Sequence, residues 1–198
     1  MFVESVIIGI VIGVVQHGRL TNIGIKKIRG WYLIMAALLL GISPMFSINS
    51  PFFDDFGVYI YLFSLIVMFA VVLWNLDKKG FWIIAVGAGL NLLVMLLNGF
   101  KMPIYMEGLR IAGLDGMING IESGEIINYV SIESLDSWTR FLGKLVVLPK
   151  PYPLAKVVSI GDLLMSLGII FYLRGEMVKK YRFSRSRMVT PRYKGRKN

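Results

Sequence analysis

The sequence predicts an all-α integral membrane protein with five transmembrane helices, the N-terminus outside and the C-terminus inside, and a large extracytoplasmic loop carrying short helices. Three observations carry that prediction. Hydrophobic residues make up 56% of the 198 residues, more than a soluble domain needs for its core. Five apolar stretches approach the roughly 20 residues a helix needs to cross the hydrocarbon core. The Lys and Arg residues gather in alternate connections between those stretches.

The first stretch runs from Phe2 to Gln16 and is short. Glu4 is its only early charge and no small-residue cleavage site follows, so it reads as a retained helix rather than a signal peptide. The second is Trp31 to about Ser47, with Pro44 near its end. The third is Val58 to Trp74, the fourth Phe81 to about Asn98, and the fifth Leu154 to Leu173. Nothing between Gly99 and Pro153 is apolar enough to span.

The connections give the orientation. Residues 17–30 carry Arg19, Lys26, Lys27 and Arg29 without an acid, and residues 75–80 carry Lys78 and Lys79, so both read as cytoplasmic. Residues 48–57 carry Asp54 and Asp55 without a base and read as external. The segment 99–153 falls outside by alternation. Trp31, Trp74, Trp82 and Tyr172 sit near span ends, where amphipathic rings prefer the interface. The predicted localisation is therefore the plasma membrane, crossed several times.

A segment as long as 99–153 is expected to hold elements of its own. Ile111, Leu114, Ile118 and Ile121 recur at helical spacing and predict an amphipathic helix, although the glycines among them weaken it. A second short helix is predicted from Ser134 as N-cap, with Leu135, Trp138 and Phe141 or Leu142 on one face. Pro149, Pro151 and Pro153 predict a stiff extended lead into the fifth span. Such helices read either as a cap on the bilayer surface or as a lid over a pocket between the spans.

The net charge of +10 belongs to one end of the chain. Residues 1–177 are expected to form the transmembrane domain with its outer loop, and residues 178–198 a basic, disordered cytoplasmic tail. Lys179, Lys180, Arg182, Arg185 and Arg187 are expected to contact anionic lipid. Few stacking aromatics accompany them, which argues against nucleic acid as the partner. With no cysteine and His17 as the single histidine, thiolate and histidine metal sites are excluded and no cofactor is expected.

The candidate site is polar. Ser159-Ile160-Gly161-Asp162 opens the fifth span, and an acid inside a membrane usually has a reason. Asn91 and Asn98 lie two turns apart on the fourth span, and Glu4 sits at a comparable depth on the first. Polar groups on helices in lipid turn inward, so Asp162, Asn98, Ser159, Asn91 and Glu4 are the expected ligand-binding cluster at the outer face. A local reading stands beside it: Ser159 as N-cap with Asp162 returning the bond forms a capping box, and Asn98-Gly99 makes a helix C-cap.

The chain resembles a family of uncharacterised bacterial polytopic membrane proteins whose defining domain has no assigned function. The resemblance rests on Gly18-Arg19-Leu20 with Asn22, on Arg29-Gly30-Trp31, on Asn91 with Asn98-Gly99 and Met102-Pro103, and on Leu142-Gly143 with Ser159-Ile160-Gly161-Asp162. It implies a compact polytopic fold and no substrate. In that family the residue after the Leu-Gly pair is often acidic; here it is Lys144.

Three functions fit these residues. The first is a membrane protein that binds a small molecule or lipid at an outer-face pocket, or helps to transport it. The second is an accessory subunit of a larger membrane complex. The third is a membrane enzyme on a lipid-linked substrate with Glu4 and Asp162 as paired acids, although no GxSxG, HExxH or P-loop motif is present.

Overall fold

A computed structural model of the protein describes residues 1–24, 27–42, 51–135 and 138–179, with the side chains of 51–55 excepted. Lys26, Pro44 and the tail from Lys180, including Arg182, Arg185 and Arg187, lie outside the described residues. Helices α1 (Phe2–Val15), α2 (Trp31–Gly41), α3 (Pro51–Trp74) and α4 (Phe81–Leu97) come first. A lobe follows with β1 (Met102–Ile104), α5 (Met106–Ile111), α6 (Asp115–Glu122), β2 (Tyr129–Ser131), β3 (Lys144–Leu148) and β4 (Lys156–Ser159). Helix α7 (Ile160–Val178) returns from the lobe into the helical layer.

This architecture corrects the five-span, all-α expectation. Each apolar stretch contributes a helix, but α1, α2 and α4 have 14, 11 and 17 residues, short of the roughly 20 that cross a bilayer. One helix among the described residues, over Phe56–Trp74, is long and apolar enough to cross a membrane. Its parent helix begins at Pro51, so Asp54 and Asp55 belong to its first turns and not to a loop. The fifth stretch is divided: Lys156–Ser159 pair as a strand and the helix starts only at Ile160. Asp162, Arg174 and Glu176 then all fall within its 19 residues. Val157 and Val158 are β-branched and fit a buried strand as well as a span, which is why hydropathy alone misassigns them.

The helices pack as a row. Helix α7 lies between α4 and α1, α3 packs on α4, and α2 packs on α3. Small residues permit the closest approaches. A Cβ placed on Gly13 of α1 would fall 2.8 Å from the Met177 methyl group, and one on Gly87 of α4 would fall 2.5 Å from the Gly161 carbonyl. The outward surface of the row stays apolar: Ile7, Val11, Leu39, Phe63 and Leu93 are all exposed. Such a surface is favourable only against lipid or another protein.

The lobe holds a four-stranded mixed sheet in the order β2-β1-β3-β4, where helices alone were expected. β1 pairs in parallel with β2 and β3, and β3 pairs antiparallel with β4. The predicted amphipathic helix is broken into α5 and α6, with Gly113 between them at φ +68°, a left-handed conformation that suits glycine. Ile118 is buried with Ile104, Leu109 and Val157, and Leu114 and Ile121 pack against them, whereas Ile111 is exposed. The helix expected from Ser134 is replaced by 3₁₀ turns over Ile132–Ser134 and Trp138–Leu142, whose Trp138 and Phe141 face outward. The proline segment turns instead of running extended, and Tyr152 N–H donates to the Pro149 carbonyl at 3.1 Å.

Candidate functional site

The site forms where the sheet passes into α7. Register explains its central residue. Ile104 of β1 pairs with Lys144 of β3, and Lys144 pairs with Ser159, the last residue of β4 and the N-cap of α7. A lysine that opens a strand is thereby carried to the first turn of a helix that starts 16 positions later in the chain. Its ammonium meets the Asp162 carboxylate at 3.0 Å, with both side chains largely buried.

Asp162 is held from four directions. Its Oδ2 accepts from Lys144 and from the Ser159 backbone N–H at 3.1 Å, and its Oδ1 accepts from Asn91 Nδ2 at 3.0 Å. Its own N–H donates to Ser159 Oγ at 2.9 Å, which completes the capping box. Ser159 Oγ donates in turn to Asn91 Oδ1 at 2.8 Å, tying α4 to the start of α7. Burial acts to lower the Lys144 pKa, but Tyr129 and Asp162 beside it outweigh burial and the net shift is upward.

The structure thus brings Asp162, Ser159 and Asn91 together and adds Lys144. Asn98 does not join them. It lies two turns from Asn91, donates to the Val94 carbonyl at 2.6 Å and accepts from Thr139 Oγ1 at 3.0 Å. It closes α4 as C-cap, with Gly99 at φ +63° behind it. Glu4 also stands apart, bound to Lys156 and, at 3.0 Å, to the Tyr152 hydroxyl. Glu4 and Asp162 therefore each engage a lysine of their own and do not form the acid pair expected of an enzyme. With both Asp162 oxygens occupied, the arrangement is suited to holding a charge in place and not to accepting a proton.

A cavity of about 260 Å³ opens beside these groups. Lys144, Lys156 and Asp162 supply its charged wall, and Ile104, Leu109, Leu114, Met117 and Val157 its apolar wall, with Met1 and Phe2 of α1 closing one side. Lys156 shares its ammonium between Glu4 and the Tyr152 ring, whose centroid lies 5.8 Å away. Burial acts to lower the Lys156 pKa as well, and the hydrogen bond it donates to Glu4 helps to turn the net shift upward. Sequence reasoning missed Lys144 and Lys156 as site residues. The one signal for Lys144 was its unusual charge after Leu142-Gly143. Among the described residues, no group of His, Asp and Glu is arranged to hold a metal ion.

The other residues behind the resemblance tie elements together. Asn22 Nδ2 donates to the Met177 and Lys179 carbonyls, both at 2.9 Å, and caps the far end of α7. Asn75, fully buried, accepts from the Arg29 N–H and donates to the Arg29 and Val71 carbonyls, clipping the start of α2 to the end of α3.

Comparison with known proteins places these residues in a family context. The model of a family of unknown function, DUF5317, matches residues 25–174. That range holds Asn91, Lys144, Lys156, Ser159 and Asp162 and leaves out Glu4 and Asn22. An uncharacterized protein of Thermotoga maritima is 24% identical over 172 residues, covering 87% of this chain and 89% of its own length. No solved structure matches the chain.

Proposed function

The chain belongs to DUF5317, a family of unknown function, and from that premise we propose that it is a membrane-associated binding protein that takes a small molecule or lipid into the cavity beside Asp162. One observation carries this reading: an apolar-walled cavity bordered by charges held by hydrogen bonds and ion pairs, the usual build of a ligand site. In this reading Asp162 orients Lys144, Ser159 and Asn91 orient Asp162, and Glu4 orients Lys156. Asn98 acts from a distance by seating the Trp138–Leu142 turn on α4.

Helix α3 and the apolar outward faces of its neighbours hold the protein at the plasma membrane. Lys179, Lys180, Arg182, Arg185 and Arg187 lie against anionic lipid on the inner side.

Native mass spectrometry of the protein extracted gently from its own membranes tests the binding reading. The expected result is a small molecule or lipid retained by the wild type and lost when Leu114→Trp fills the cavity. A Leu114→Trp variant that folds and retains the same molecule would overturn it. The exposed apolar faces of α1 and α2 favour a second reading, an accessory subunit of a membrane complex. A stoichiometric protein partner in the same spectra would support that reading.

A further inference from the structure

Two lysines, Lys144 and Lys156, border the cavity; Asp162 is the one acid lining it among the described residues, and Glu4, which pairs with Lys156, stands behind that lysine. Both Asp162 oxygens are already engaged, by Asn91 on one side and by Lys144 and the Ser159 N–H on the other. An ammonium carries three donors. Among the described residues, Lys144 gives one to Asp162 and Lys156 gives one to Glu4. The lining therefore offers more hydrogen-bond donors than free acceptors, with each lysine charge held in place by one carboxylate. The cavity is also lined by Ile104, Leu109, Leu114 and Met117, members of one apolar cluster, which offer no side-chain hydrogen bond and favour hydrocarbon. A methylene is close in volume to a water molecule, about 30 Å³. The cavity of about 260 Å³ thus has room for a short single chain of roughly eight carbons.

From this juxtaposition we infer that the ligand is a single-chain amphiphile with an anionic head, a carboxylate or a phosphate monoester, its head on Lys144 and Lys156 and its chain along Ile104, Leu109, Leu114 and Met117. The inference rests on the cavity being the ligand site and adds the chemical class. Asp162 and Glu4 each engage one donor of their lysine and position its ammonium, leaving its remaining donors for a head group. A cationic or zwitterionic head meets the wrong charge, and a neutral alcohol forgoes the charge-assisted hydrogen bonds. A bare anion forgoes the apolar wall.

Equilibrium dialysis of the full chain in nanodiscs, with empty nanodiscs as the partition control, tests this using octanoate, octyl phosphate, octanol, octyltrimethylammonium, acetate and inorganic phosphate. The expected result is saturable binding of octanoate and octyl phosphate, at least tenfold weaker binding of octanol, and none of the remaining three. Lys156→Gln retains a hydrogen-bond donor toward Glu4 and is expected to weaken octanoate at least tenfold while leaving octanol unchanged. Lys144→Gln is expected to act in the same direction. If that variant fails to fold, Lys156→Gln alone decides. Octanol binding as tightly as octanoate would overturn the anionic head and leave the cavity reading standing. Inorganic phosphate binding as tightly as octyl phosphate would overturn the chain and point to a free anion. No saturable binding of any probe, with Leu114→Trp indistinguishable from wild type, would overturn both readings together.

Discussion

At its N-terminal end α7 is closed by its own residues, Ser159 and Asp162, and at its C-terminal end by Asn22, which stands more than 150 residues earlier in the chain. The first end is also the tighter. A Cβ on Gly161 would fall 2.2 Å from Asn91 Oδ1 and 2.6 Å from the Gly87 carbonyl, so backbone would have to move. A Cβ on Gly175 would meet the Lys79 side chain at 3.0–3.6 Å, a contact that a shift of a few tenths of an ångström relieves. The difference teaches what holds each end. The end beside the cavity is fixed by a capping box, an ion pair and the backbone of α4, whereas the opposite end is fixed by residues that precede α2, with two hydrogen bonds from Asn22 and one from the Arg19 N–H to the Met177 carbonyl at 3.0 Å, and by the Lys179–Glu176 ion pair.

The largest effect is expected where that asymmetry is greatest. Gly161→Ala forces α4 and α7 apart and should cost about 3 kcal/mol, at the upper end for overpacking. Thermal unfolding of the detergent-solubilised protein measures it, and an unchanged midpoint would refute the tight contact. Asp162→Ala removes the carboxylate from Lys144 and half of the capping box, at about 2–3 kcal/mol for a pair that is not wholly buried. Asp162→Asn, which keeps an acceptor for the Ser159 N–H, should lose less in the same melt.

Asn22→Ala strips two donors from the other end of α7 and should cost about 2 kcal/mol. Hydrogen exchange should show the loss confined to the last turn of α7, and equal loosening beside the cavity would deny that the two ends are independent. Ser159→Ala is expected to cost about 1 kcal/mol, the usual value of an N-cap, with Asn91 released as well. The smallest effect belongs to Gly175→Ala. Its gain in helix propensity, about 1 kcal/mol, offsets the displacement of Lys79, so the melting midpoint should hardly move. A loss as large as that of Gly161→Ala would erase the contrast between the two ends.

What could be read in advance divides along the same line. The capping box of Ser159 and Asp162 and the C-cap of Asn98 and Gly99 involve residues three or four positions apart, so local spacing reveals them. The meeting of Asn91 with Asp162 was legible as two polar groups on apolar helices seeking partners. The sheet was not legible. Its strands have three to five residues, and β1 finds its partners 27 and 40 positions downstream, a pairing no window of periodicity contains. Lys144 was missed for the same reason, since only the β3–β4 register carries it to Asp162. Asn98 and Glu4 were placed in the cluster by depth alone, and depth does not specify azimuth: Thr139 claims one and Lys156 the other.

The sequence by itself determined that each apolar stretch contributes a helix and that Ser159 and Asp162 can form a capping box, because each depends on composition or on neighbours within a turn or two. The tertiary structure alone decided that the fifth apolar stretch splits into strand and helix, that one helix among the described residues is long and apolar enough to cross a membrane, that a mixed sheet stands where short helices were expected, and that two lysines border a largely apolar cavity. The physical reason is that strand pairing and cavity walls are made by residues distant in the chain, whose energies enter only once the chain has folded back on itself.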